Sequence, residues 1–470
     1  MASLARSAAA SREVDAPPPW LAAIPIGIAI ALLPAILVVG TVVGVAFVGA
    51  LLARPRLALY GLAFTVPYQG LAEVRMYGAN VTATEAVIVL LLAGWGTARA
   101  AGRVAAPRLG PLTVAIGLLL SLLILSCAVA PNLALSAKEL VKWAEVATVI
   151  VISRSLLVRP RDRAMLFGAL TAAAISQAGF GLLQSTLLWG PSHFMIGPWL
   201  MRAYGSFEQP NPFGGYLGLH LPLVASVAAF GTTGRWSRGL VVACAAIIAT
   251  CLIATMSRGA WLGQVSGLLV VALVGSRTAR HAVATFGGLG LVLLLAAWPL
   301  LPAAVTDRVQ SIFASLVAFG AAASALTPEN WAVMERLSQW TAGWRMFAAN
   351  PLLGVGIGNY NSVYDDYRLP EWPVALGHAH NHYLTIAAEA GIFAAVAYVI
   401  LLIVAARQTL RGWRYSPTPF SRAIGLGALG SLAALATHSL VDVLFVHGMS
   451  VTIGLILALA GPDGDDIGRT

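Results

Sequence analysis

Three histidines alternate in Gly377-His378-Ala379-His380-Asn381-His382-Tyr383, where a long polar interval, 302–381, gives way to an apolar run opening at Tyr383. His380 stands where a loop enters a helix, and the positive end of a helix disfavours an imidazolium. A neutral imidazole in that place can take a proton, so His380 is a candidate general base. The alternation on an extended segment is also one way to hold a metal, but no carboxylate or cysteine lies beside it at ligand spacing, and no metal is expected. Arg258, in Met256-Ser257-Arg258-Gly259-Ala260-Trp261, occupies a short junction between two apolar runs. A guanidinium so close to hydrocarbon is costly unless it meets an anion or a water-filled cavity, or snorkels to the headgroups.

Further candidates surround these two. Within 302–381, a turn of 100° per residue puts Arg336, Trp340 and Gly343 on one helix face and Arg345 nearly opposite, so the two arginines are candidate substrate contacts of different pockets. Lys138 and Lys142, the only lysines, are one helical turn apart with Glu139 and Glu145 beside them. Pairing along the helix and contact with a phosphate are both open to them. Glu389 lies about two turns into its apolar run on the face of His382 and Thr385, an intramembrane acid that is either paired or functional.

The elements that position these residues are membrane spans. With 59% apolar and 10% charged residues in 470, and a mean hydropathy of +0.82, the chain is outside the range of soluble domains. Apolar runs long enough to cross a bilayer fall near 20–36, 38–53, 84–100, 110–130, 137–157, 164–188, 212–230, 239–256, 259–275, 282–301, 383–406, 423–440 and 443–460, with a shorter one at 57–66. The expectation is an all-α polytopic protein of about twelve to fourteen spans. Residues 1–470 read as one integral membrane domain, with 302–381 as a large helical loop inserted between spans. Arg6 and Arg12 precede Pro17-Pro18-Pro19 with no cleavage pattern behind the first run, which is expected to be an anchor. Cys127, Cys244 and Cys251 all lie in apolar runs and are expected to pack there rather than pair.

The net charge of +10 is arranged as a topology signal rather than a nucleic-acid surface, and no nucleic-acid partner is expected. Arg54 and Arg56; Arg99, Arg103 and Arg108; Arg159, Arg161 and Arg163; Arg235 and Arg238; Arg277 and Arg280; and Arg407, Arg411 and Arg414 fall on one set of alternate connectors. By the positive-inside rule that side is cytoplasmic. The exoplasmic side then holds 67–83, 131–136, 189–211, the 257–258 junction, 302–381 and Asp442. Within 302–381, Thr327, Pro328 and Glu329 signal a helix start and Asn350-Pro351 its end. The Gly-rich stretch from Pro351 to Asn359 follows no strand, so a tight turn is favoured over a phosphate loop.

Four motifs in order resemble a known family. Ser206-Phe207-Glu208-Gln209-Pro210-Asn211-Pro212-Phe213-Gly214-Gly215-Tyr216, then Ser257-Arg258-Gly259, then Arg336 ahead of Asn350-Pro351-Leu352-Leu353-Gly354-Val355-Gly356, then His380-Asn381, resemble the bacterial O-antigen ligase and O-antigen polymerase superfamily. The similarity covers roughly 130–460. The ligase signature asks for His-Asn, nine residues, Gly, two residues, then Gly, Thr or Tyr; Gly391 fits and Ala394 does not, which leaves ligase and polymerase both open. The resemblance implies a GT-C-like fold and a metal-independent, cofactor-free inverting glycosyltransferase in the bacterial inner membrane, its site facing the periplasm. The implied donor is a glycan on undecaprenyl diphosphate, and the acceptor a glycan or lipid A core hydroxyl. Arg258 and Arg336 would neutralise the departing diphosphate, His380 would act as base, and Asn381 would hold the ring or a sugar. Gln209 and Asn211 would contact glycan, Asn211 alternatively capping a helix ahead of Pro212. A polar-lipid transporter or flippase is the alternative, but transporters place ionisable groups mid-span, whereas here they gather at the exoplasmic edge with His220 and Glu389 the chief exceptions.

Overall fold

The structure, a computed structural model, describes residues 35–71, 73–76, 79–107, 109–232, 234–282, 285, 296–300, 306 and 331–460. The expected helix start at Thr327 to Glu329, most of the run 282–301 and nearly all of the run 20–36 lie outside the described residues. The described chain is helical, with strand confined among the described residues to two antiparallel two-stranded hairpins, Glu73–Met76 with Ala79–Thr82 and Met195–Ile196 with Leu200–Met201.

The main helices are α1 (Ala35–Ala53), α2 (Pro55–Tyr68), α3 (Ala83–Ala100), α4 (Pro111–Ser126), α5 (Leu133–Leu156), α6 (Pro160–Thr186), α7 (Pro210–Ser226), α8 (Arg235–Ala254), α9 (Arg258–Gly275), α10 (Trp331–Ala349), α11 (His382–Tyr415), α12 (Pro419–His438) and α13 (Met449–Leu459). Eight of the described helices are long and apolar enough to cross a membrane, or nine if α1 and α2, bent by 117°, form one broken span. The sequence count is larger for physical reasons. Five charged residues dilute α5, α13 is short, and two apolar runs fall outside the described residues. The fold is that of an all-α polytopic membrane protein.

Local chemistry sets the helix ends. Asn132 caps α5 by accepting the Ala134 and Leu135 N–H groups, Asn381 caps α11 through Leu384, and Thr418 caps α12 through Ser421. Proline opens α2, α4, α6, α7 and α12, where its missing N–H costs nothing. Small residues let α9 and α12 touch: a Cβ on Gly263 would lie 2.8 Å from the Ala434 carbonyl and one on Gly267 2.7 Å from that of Gly430. This contact places the start of α9 beside the end of α12.

The inserted segment forms a second small core of Ala342, Met346, Val355, Tyr360, Tyr364, Ala379 and Ala388. Its helix α10 ends at Ala349, ahead of Asn350-Pro351, and runs down beside the first turns of α11. The Gly-rich stretch then turns tightly, as expected, and wedges against a kink in α11. At the kink Gly391 has φ 79°, Ile392 donates to the Pro351 carbonyl at 2.9 Å and Val355 to the Ala388 carbonyl at 2.9 Å. The loop thus supplies an acceptor where the helix ladder is broken. Buried Asn359 ties the same loop to α5, donating to Ser136 Oγ at 2.9 Å and accepting the Asn132 N–H at 3.0 Å.

Candidate functional site

The site is built where α10, the start of α11, and the α12–α13 connector meet. His380 has φ 51°, a left-handed conformation that costs a non-glycine residue roughly 1–3 kcal/mol. Local bonds hold it there. Its N–H donates to His378 Nδ1 at 3.1 Å, and its carbonyl accepts the Trp340 indole N–H at 3.2 Å. Two residues on, His382 N–H donates to the Ser439 carbonyl at 2.8 Å, pinning the entrance of α11 to the end of α12.

The consequence is an ion-pair geometry across the fold. His380 Nδ1 lies 3.1 Å from Asp442 Oδ1, an oxygen that also accepts the Val443 N–H at 2.9 Å. With Nδ1–H donating to the carboxylate, the tautomer leaves a lone pair on Nε2, the arrangement of a base held by an acid. Burial works against the Asp442 carboxylate, but the His380 hydrogen bond and the charges of His380, His378 and Arg336 hold its pKa well below the usual range. His378 stacks edge-on against His380, 4.5 Å between ring centres. Burial, then the charges of His380, Lys142 and Arg336, lower His378 to about 4 despite the opposing pull of Asp442.

Cations surround this pair. Arg336 is half-buried, acts electrostatically on Asp442 and His378, and leaves its buried Nε without a hydrogen-bond partner among the described residues. An unsatisfied guanidinium N–H is costly and best met by an anion. Its helix face is the expected one, with Trp340 bonded to His380 and a Cβ on Gly343 falling 3.1 Å from Ala379. Lys142 bridges to Glu139 and adds its charge to the field at His378. Arg258 is the first residue of α9, and the next position, Gly259, abuts His438 and Val441, so Arg258 begins its helix against the turn carrying Asp442.

Other expected contacts have different work in the structure. The Asn381 amide oxygen accepts the Leu384 N–H at 3.0 Å, so this side chain caps α11 rather than holding the imidazole. Buried Glu389 accepts the Tyr360 N–H at 3.0 Å and anchors the loop that carries Tyr360, so this acid is paired. Arg345 does point away from Arg336, but its Nη1 donates to the carbonyls of Tyr367 and Arg368 and ties two parts of the loop together. Asn211 does not cap a helix: it lies in the first turn of α7 and its Oδ1 accepts from Arg202 Nη2 at 2.9 Å. Gln209 and Lys138 are exposed.

Two residues enter that sequence spacing did not single out. Asp442 was assigned to the same membrane edge as His380, but 62 positions separate the two and no spacing rule joins them. Arg202 links Asn211 to the Thr255 carbonyl, at 2.9 Å, three residues before Arg258. Its only sequence signal was a basic residue on an exoplasmic connector.

His378, His380 and Asp442 also bring one ligand atom each within 4.8 Å of one another, a donor set that in composition suits a Zn²⁺-type ion. Both Nδ1 atoms are already engaged, by the His380 N–H and by Asp442. Arg336 and Lys142 further oppose a dication. The local field favours an anion.

The fold and site define a polytopic membrane protein with a base-like histidine and clustered cations at one edge of its bundle. Residues 243–399 match the family model described as O-antigen ligase, so the resemblance to the O-antigen ligase and polymerase superfamily stands, and the match supports an enzyme of that glycosyltransferase type. The matched stretch contains Arg258, Arg336 and His380, whereas Asp442 lies beyond it. The chain matches no curated protein.

Proposed function

We propose that this protein is a metal-independent, inverting glycosyltransferase that moves a glycan from undecaprenyl diphosphate to an acceptor hydroxyl at the periplasmic face of the bacterial inner membrane. The observation that carries the reading is the His380–Asp442 pair at 3.1 Å together with Arg336, whose buried Nε has no hydrogen-bond partner among the described residues. The acceptor O–H gives its proton to His380 Nε2, and its oxygen bonds to the anomeric carbon. The bond from that carbon to the diphosphate breaks, and the electron pair leaves with the phosphate, whose charge Arg336 and Arg258 receive. Asp442 holds the imidazole tautomer and stabilises the imidazolium that forms. Lys142 adds positive potential.

Of the alternate-connector arginines, Arg54, Arg56, Arg103 and Arg161 gather with Leu156 at the end of α5 opposite Asn359, which supports a periplasmic site at the His380 end. The interval 302–381 is then the periplasmic insertion in a single membrane domain. Of the two intramembrane groups a transporter reading would use, Glu389 accepts the Tyr360 N–H, and His220 Nδ1 lies 2.8 Å from the Tyr216 carbonyl while its buried Nε2 has no partner among the described residues.

The test uses purified full-length protein, a polyprenyl diphosphate glycan and either core lipid or further donor. His380→Ala is expected to lose roughly 10²–10⁴-fold in transfer rate while folded, and chelation with EDTA to leave the wild-type rate unchanged. Undiminished transfer by the folded variant removes His380 as base, and loss of activity in EDTA removes metal independence. A single product step identifies a ligase, and a ladder a polymerase.

A further inference from the structure

A second polar cavity lies at the other end of the bundle. Helix α5 begins against Asn359, beside the loop under α11, and ends 24 residues later at Leu156, about 36 Å away. There a cavity of about 440 Å³ opens between the α1–α2 bend, the end of α3, the end of α5 and the start of α6. Four arginines line it, Arg54, Arg56, Arg103 and Arg161, against the single carboxylate of Asp162.

That carboxylate is already engaged. Asp162 lies 3.5 Å from Arg56 Nε and accepts the Arg159 N–H at 3.3 Å, and Arg56 Nε also donates to the Leu156 carbonyl at 3.0 Å. The side chains of Arg54, Arg103 and Arg161 make no hydrogen bond or ion pair with a described residue, and all three residues are exposed at the mouth. Two helices, α2 at Pro55 and α6 at Pro160, start at this cavity and turn their positive ends toward it. The positive-inside rule accounts for basic residues on this side but not for their convergence on one concavity. Exposed Leu57 and Met165 add apolar lining next to the cations, as a lipid headgroup with its first methylenes requires.

We propose that this cavity is a phosphate-anion site, with the chemistry shared by an anionic phospholipid headgroup and free phosphate. Salt weakens such a site, and basic pockets between membrane helices on the positive side suit lipid phosphates. The experiment is native mass spectrometry of the purified full-length protein titrated with phosphatidylglycerol, phosphatidylcholine or inorganic phosphate. Phosphatidylglycerol is expected to bind more tightly than phosphatidylcholine. Arg103→Gln combined with Arg161→Gln should weaken it roughly 25-fold, about fivefold per arginine. The Arg103→Lys, Arg161→Lys pair should keep most of the binding, which separates loss of charge from loss of fold. Displacement by excess inorganic phosphate identifies the free anion as a sufficient ligand, and its failure to displace assigns the site to the lipid. Equal binding of the two lipids, or wild-type affinity in the folded Gln variant, overturns the proposal.

Discussion

At the scale of single residues, the site depends on which polar groups the fold leaves uncommitted. Asn381, Glu389 and Arg345 look equally chemical in sequence, yet each spends its side chain on the backbone, and a one-dimensional pattern carries no trace of those bonds. His380 and Arg336 were legible because a histidine at a helix entrance and an arginine on the face of Trp340 have few structural partners. Arg336→Lys keeps the charge but loses the planar fork, and a fall of roughly 10²-fold in transfer with little change in thermal midpoint is expected. Loss of the fold in that variant, or an unchanged rate, would contradict its role at the diphosphate. His378 yields a pH prediction. Its usual pKa of 6.5 falls to about 4 in the folded protein, so between those values the unfolded chain binds more protons and acid favours unfolding. Asp442 acts in the same sense at lower pH, because its depressed pKa contributes stability above the unfolded carboxylate value that is lost as pH falls further. The thermal midpoint of the solubilised protein should therefore decline from pH 6.5 to pH 4, and His378→Gln should flatten that decline. An identical profile in the variant would show that His378 does not titrate between those limits.

At the scale of elements, the inserted segment works as a wedge. The Gly-rich stretch from Pro351 to Asn359 was readable as a turn because glycines recur where no strand or helix period does, but the target of the turn was not readable. Its partner is the break in α11, and nothing in an apolar run marks Gly391 as a kink until the Leu352 carbonyl is found against it. A Cβ at Gly391 would lie 2.1 Å from that carbonyl oxygen, on a backbone with φ 79°. Gly391→Ala should destabilise the protein by about 2 kcal/mol or more, read as a lowered thermal midpoint, with transfer falling because α11 carries His380 at its entrance. Wild-type stability in this variant would show that the wedge does not hold the helix. The helix ends fared better in the sequence: the stop of α10 at Asn350-Pro351 follows from the clash of proline with the preceding residue, a local rule.

At the scale of the whole molecule, hydropathy made the membrane class plain, and the runs 137–157 and 443–460 fall on α5, which five charged residues dilute, and on the short α13. The run 137–157 reads as a span, and most of the charges that dilute α5, Lys142 among them, belong to its end beside the site and the loop of Asn359. Tertiary closure also brought in Asp442, which sits on the far side of two helices from His380 in sequence and touches it in space. The proposed chemistry rests on that closure, with His380 and Asp442 acting as one unit. The direct measurement is a double-mutant cycle in transfer rate with His380→Ala, Asp442→Asn and the pair, each in folded full-length protein with a polyprenyl diphosphate glycan donor. Both single variants are expected to lose most of the rate and the double variant to be no slower than His380→Ala, because residues acting as a unit are non-additive. Losses that multiply, or an Asp442→Asn variant as fast as the wild type, would contradict it.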